Sequence, residues 1–200
     1  MGRDREGSGM NAAREHADAS PPSRQRLVAY LFGPLTRFGL IAALIVCAID
    51  QAVKVWLLEG FDLANRGIVH LTPFLDFVLT WNTGISYGLF PQESDFGRYV
   101  LLAVKAGAVL VLWIWLARAE SRLTALALGL IIGGALGNAI DRVAYGAVMD
   151  FVLFHITTPN FSFTWYVFNL ADAAIVAGVV GLLYESLLGG TPQKRPDPPE

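Results

Sequence analysis

Four stretches of the chain, near Phe38 to Leu58, Tyr99 to Leu116, Leu123 to Arg142 and Trp165 to Leu188, are almost continuously apolar. Each approaches the roughly 20 helical residues needed to cross a bilayer core of about 30 Å. Within that core a backbone polar group finds no water, so a spanning segment must bond its own backbone as a helix or close into a barrel. Runs of this length predict helices. Composition agrees, since 54% of the 200 residues are hydrophobic and only 16% charged, well below the charge of an ordinary soluble domain. The expected fold is an all-α integral membrane protein, a four-transmembrane-helix bundle with a little β-structure outside the membrane.

The distribution of Lys and Arg sets the orientation. Ten of the 15 lie in the amino-terminal segment up to Arg37, in the short turn holding Arg118 and Arg122, or at Lys194 and Arg195. The other two connections, 59–98 and 143–164, hold only Arg66 and Arg98. Both termini are therefore expected in the cytoplasm and the two basic-poor connections outside. Residues 1–30 are polar and mixed in charge, with adjacent Pro21 and Pro22 and no apolar periodicity, which predicts a disordered tail rather than a secretory signal. Residues 191–200 predict a second flexible tail, leaving 31–190 as the membrane domain. The net charge of −2 gives no basic patch for nucleic acid, and the single Cys47 excludes an intramolecular disulfide.

The 59–98 connection is too long for a bare loop. Its stretch "GIVHLTPFLDFVLTWNTG" is rich in β-branched and aromatic residues, so a few short strands are expected at about 60–90, resting on the outer membrane surface. Trp81, Tyr87 and Phe90 are suited to the headgroup level.

Polar residues within the spans gather at one depth. At about 1.5 Å per residue, the twelve apolar residues Phe38 to Ile49 precede Asp50, roughly 18 Å, with Lys54 a turn further out and able to pair with Asp50. Asn138, Asp141 and Arg142 end the third span on one face. Asn169 and Asp172, at i and i+3, open the fourth, expected about 6 and 10 Å inside it. A charge at the bilayer centre costs roughly 3 kcal/mol or more, so convergence of these groups in the outer half predicts a shared polar site. Gly129, Gly133 and Gly137 recur every fourth residue, and Ala174 and Gly178 do the same on the last span; such stripes let helices approach closely. Asp150, in "GAVMDFVLF", lies in an apolar outer connection without Lys or Arg and leads back toward Asp172.

The chemistry narrows by elimination. His70 and His155 stand isolated in outer connections and His16 in the tail, so neither a zinc pattern nor a serine triad has its parts, and no metal or cofactor is expected. What remains in quantity is Asp. Two carboxylates sharing a site do not both ionise readily, and such a pair can activate a water against a carbonyl and protonate the departing amine. The reading of another class is a proton-coupled transporter relaying protons through membrane carboxylates; four spans with no evident inverted repeat or broken helix weigh against it.

Five motifs, "DQAVK" at 50–54, "WNTG" at 81–84, "GNAIDR" at 137–142, "VMDF" at 148–151 and "FNLAD" at 168–172, stand in order over about 120 residues. Together they resemble the lipoprotein signal peptidase (signal peptidase II) family. The resemblance implies an aspartic endopeptidase of the bacterial inner membrane with a small extracytoplasmic β-cradle. It implies cleavage of prolipoproteins before a diacylglyceryl-modified cysteine, with that substrate and the membrane lipids as partners, by a monomer. Asp150 and Asp172 match the family's catalytic pair. Asn138, Arg142 and Asn169 match polar residues around the pair and substrate, Asp141 the aspartate beside that Arg, and Asp50, Lys54, Asn82 and Gly84 further supporting positions. The sequence departs from the family's usual pattern at Ile85, Ser86 and Tyr87, and at Ala174, where a Ser often stands.

Overall fold

Residues 31–83 and 95–188 are described in the computed structural model. Both expected tails and Gly84 lie outside the described residues, as do Ser86, Tyr87 and Phe90. Helix α1 (Thr36–Val55) runs on through a π-helical turn, Trp56–Gly60, to a short α2 (Leu63–Arg66). Strands β1 (Val69–Thr72) and β2 (Leu75–Asn82) follow, then α3 (Asp95–Ala117), α4 (Arg122–Ala144), β3 (Val148–Thr158), β4 (Phe161–Thr164) and α5 (Leu170–Leu188). Among the described residues, three helices are long and apolar enough to cross a membrane: Thr36–Gly60, Arg122–Ala144 and Leu170–Leu187. Ala106–Ala117, within α3, forms a shorter apolar helix.

Many of the large apolar residues of α1 and α5 face outward, and polar residues lie inward. Ile41, Leu44, Ile45 and Ile49 of α1 and Val176, Val180, Leu183 and Leu187 of α5 are exposed, while Asp50, Lys54, Asn138 and Asp141 are buried. This inversion suits a solvent that is itself apolar. The glycine stripe on α4 works as its spacing predicts. A Cβ on Gly133 would stand 2.5 Å from the Ala43 carbonyl oxygen of α1, and one on Gly137 would stand 2.8 Å from a carboxylate oxygen of Asp50. Gly178 likewise gives α5 its close approach to the Ala127 carbonyl of α4.

Outside the bundle lies a four-stranded antiparallel sheet in the order β1-β2-β3-β4. Strands in the 60–90 segment were expected, but half of the sheet comes from 148–164, where the sequence reading placed only a loop. Alternation explains β3: Val148, Met149, Asp150 and Phe151 are all buried, Met149 and Phe151 pack with Leu57 and Leu63, and Asp150 points to the opposite face, as a strand's two-residue period requires. Next to Asp150, which pairs with Thr80, the register shifts between Phe77 and Thr80, so β2 carries one extra residue opposite Phe151. Such a bulge bends and twists a strand and re-aims its side chains.

Two chain reversals place the polar residues. Helix α4 ends at Ala144, and Gly146 follows with a φ of 79°; its N–H bonds the Arg142 carbonyl at 3.2 Å. A glycine takes this left-handed position at a helix end without steric penalty, and it turns the chain into β3 within three residues. The second reversal corrects the fourth span. Residues 165–169 are not helical, and α5 starts at Leu170, because Phe168 exchanges backbone hydrogen bonds with Val152 of β3 at 2.8 and 3.0 Å. Asn169 is therefore the residue before the helix, not one turn inside it, and the depths read from an unbroken helix starting at Trp165 do not apply.

Candidate active site

Asn169 and Asp172 close the start of α5 on each other. The Asn169 Oδ1 accepts from the Asp172 N–H at 2.9 Å, and a carboxylate oxygen of Asp172 accepts from the Asn169 N–H at 3.3 Å. This reciprocal pair satisfies two of the amides left open at a helix N-terminus. The same asparagine reaches across to the sheet: its Nδ2 donates to Asp150 Oδ1 at 2.7 Å, and it lies 3.0 Å from Asn138 Oδ1 and 3.3 Å from the Met149 carbonyl. Asn138 Nδ2 in turn donates to Asp172 Oδ1 at 2.8 Å, and Asn82 Nδ2 to Asp150 Oδ2 at 3.1 Å. Two carboxylates from different elements thus share one asparagine and carry one further amide donor each.

Behind this pair sits a charged cluster. Lys54 Nζ lies 2.7 Å from Asp50 Oδ2 and 2.7 Å from Asp141 Oδ2, with Asn138 Oδ1 at 3.4 Å. The three donors of the ammonium therefore meet three acceptors. Asp50 Oδ1 accepts from the Ala171 N–H at 3.0 Å, and Asp141 Oδ2 from the Met149 N–H at 3.1 Å. Arg142 donates to the Asn138 carbonyl at 3.2 Å, and its charge faces Asp150, Asp141 and Asp172. Asp50, Asp141 and Asn169 are fully buried, and Asp150 is 3% exposed. Burial pushes the Asp150 carboxyl up to about 6, hydrogen bonds from Asn82 and Asn169 hold it back, and the charge of Asp172 adds to the rise. The arrangement suits proton transfer between a carboxyl and a bound group, since one carboxyl of the pair is held ready to keep its proton.

The family model described as signal peptidase (SPase) II matches residues 42–188. A lipoprotein signal peptidase of Nitrobacter hamburgensis is 59% identical over 160 residues, covering 80% of this chain and 98% of the relative. One from Methylorubrum extorquens is 60% identical over 151 residues, covering 76% and 86%. This chain belongs to the signal peptidase II family. It is therefore a protease and a bacterial membrane protein with several apolar helices. A solved bacterial membrane enzyme, determined by the in meso method at 2.3 Å, superposes with a TM-score of 0.59 at 25% identity, covering 82% of this chain and 94% of its own.

Nine of the residues expected at a signal peptidase II site, Asp50, Lys54, Asn82, Asn138, Asp141, Arg142, Asp150, Asn169 and Asp172, stand in this one network. Gly84 is the exception, outside the described residues. The pairing expected of Lys54 with Asp50 is present, and Lys54 binds Asp141 as well. Gln51 was not anticipated. Its Nε2 donates to Asp141 Oδ1 at 2.8 Å and to the Gly137 carbonyl at 3.1 Å; its place between Asp50 and Lys54 in "DQAVK" was the available signal. The two histidines read as isolated are not. His70 Nδ1 and His155 Nε2 lie 2.8 and 3.1 Å from the two oxygens of the buried Asp76, because β2 pairs with both neighbouring strands at that level.

Proposed function

We propose that Asp150 and Asp172 are the catalytic dyad, and that this signal peptidase II removes signal peptides from prolipoproteins by cutting before the diacylglyceryl-modified cysteine. The observation that carries the assignment is that the single residue Asn169 donates to both carboxylates, through its side-chain amide to Asp150 and through its backbone N–H to Asp172. Asp150, its pKa pushed up to about 6, enters the reaction as the acid, and Asp172 as the base. Asp172 takes a proton from water as the water oxygen adds to the scissile carbonyl carbon, and Asp150 gives its proton to the carbonyl oxygen. The resulting gem-diol collapses when Asp172 protonates the amide nitrogen and Asp150 recovers a hydroxyl proton. The C–N bond breaks, and the dyad again carries one proton. Asn169 and Asn138 orient the carboxylates, Arg142 positions the backbone around them, and no metal or cofactor is required.

In this reading α3 is the fourth span and both termini face the cytoplasm of a cell with its inner membrane around the protein. The site opens near the outer face, where the lipid anchor of the substrate holds the bond to be cut. The exposed Phe161, Trp165 and Tyr166 near the start of α5 support a position of the sheet at the headgroups, where amphipathic rings collect. The enzyme works as a monomer. The transporter reading has no comparable support, since the relatives are peptidases.

The test uses purified protein in detergent and a diacylglyceryl-modified prolipoprotein. Asp150→Asn and Asp172→Asn are each expected to abolish cleavage while the helical circular dichroism and elution volume of the wild type are retained. Normal cutting by either variant overturns the dyad.

A further inference from the structure

We propose that Lys54 is a positioning residue that sets the separation of the two catalytic carboxylates by tying together the two buried aspartates that grip the backbone just before each of them. Met149 immediately precedes Asp150, and its N–H is held by Asp141 at 3.1 Å. Ala171 immediately precedes Asp172, and its N–H is held by Asp50 at 3.0 Å. Both holding carboxylates converge on one ammonium, at 2.7 Å each. The strand bearing one half of the dyad and the helix bearing the other are thereby joined through a two-armed brace of Asp141, Lys54 and Asp50.

The burial makes the brace stiff. Lys54 is 2% exposed and both aspartates are fully buried, so water is not at hand to replace either contact. Without the ammonium the two carboxylates would face each other as like charges in a low-dielectric site, and the segments they hold would be driven apart. A dyad is sensitive to such a change, since a displacement of about 1 Å can lower a rate roughly 100-fold.

This inference rests on the assignment of Asp150 and Asp172 as the dyad. It predicts more than a loss of rate. The singly protonated pair persists between two apparent pKa values whose gap grows with the coupling of the carboxylates. Loosening the dyad must narrow the bell-shaped pH profile of kcat. Among the described residues, the charged groups facing the dyad are Lys54 and Asp50 on α1 and Asp141 and Arg142 on α4, and removing one of these charges shifts the whole bell along the pH axis. Width separates the two effects.

The experiment measures kcat and KM against pH for wild type, for Lys54→Met, and for Asp50→Asn/Lys54→Met/Asp141→Asn, with lipidated prolipoprotein in detergent. The triple variant buries no unpaired charge and keeps a carbonyl acceptor for each of the two backbone N–H groups, so it decides the matter if Lys54→Met fails to fold. Expected in either variant are a fall in kcat of about 10- to 100-fold, a KM within about twofold of wild type, and a narrower bell. A bell translated at constant width with full kcat makes Lys54 a source of charge alone and overturns the inference. So does an unchanged bell with a smaller fraction of active enzyme, or wild-type behaviour of the triple variant. Failure of the wild type to cleave would instead overturn the dyad itself.

Discussion

At the scale of the residue, asparagine does much of the work that charge would do in water. Asp150 is deprived of solvent, and its carboxylate form is sustained by the amides of Asn82 and Asn169. A hydrogen bond to the charged form lowers a carboxyl pKa, so deleting one raises it. Asn82→Leu is therefore expected to move the limb of the kcat profile governed by Asp150 to higher pH. The check is a pH profile on the lipidated substrate, and an unmoved or acid-shifted limb would show that Asn82 does not act through this bond. Asn169 has a double duty that the sequence did not reveal. The same side chain that reaches Asp150 caps α5, so one residue sets both the helix start and the geometry of the proposed dyad.

At the scale of the element, the sheet is braced by its own charged contact. His70 on β1 and His155 on β3 flank Asp76 on β2, and the hydrogen bond from His70 holds the Asp76 carboxyl below its ordinary value of 3.8. A carboxyl depressed on folding contributes stability that is complete above its unfolded pKa and is lost as pH falls through the folded one. The contribution should accordingly be present at about pH 5 and fade toward about pH 3. Thermal unfolding of Asp76→Asn is expected to begin at lower temperature than wild type at the higher pH, with the gap closing at the lower. A gap that stays constant would assign the loss to packing instead. The start of strand β3 reads as a loop because "VMDF" lacks the alternation of a half-exposed strand; both faces are covered over Val148–Phe151, so apolar and polar residues alike lie inside there.

For the whole molecule, close approach of α1, α4 and α5 brings the polar groups within bonding range. The Gly133 stripe is the point at which this can be tested away from the site. A Cβ there would meet the Ala43 carbonyl at 2.5 Å, with the Ala43 Cα at 2.9 Å, and backbone has no rotamer with which to yield. Gly133→Leu is expected to separate α1 from α4, lowering the unfolding temperature by an amount corresponding to about 1–3 kcal/mol or more of overpacking. Activity should fall with it, because Asp50 and Lys54 ride on α1 while Ala171, Asp141 and Asn138, which they also bind, do not. A stable variant with wild-type kcat would mean that the two helices can part without disturbing the dyad.

The sequence alone determined that helices long enough for a bilayer would form, since a backbone without water must bond itself, and its five motifs hold nearly all the residues that meet in the candidate site. Gly129, Gly133 and Gly137 disclosed the tight face of α4 for a similarly local reason, because four-residue spacing keeps side chains on one side of a helix. Which of these residues touch was left to the tertiary structure. The Asp50 to Ala171 bond joins positions 121 apart and the Lys54 to Asp141 contact positions 87 apart, and no local periodicity encodes such pairings. For the same reason only the fold disclosed that Asp150 stands on a strand, that Asn169 caps a helix instead of lying within it, and that His70 and His155 meet on Asp76. Each of these depends on the partner a segment finds once the bundle has closed.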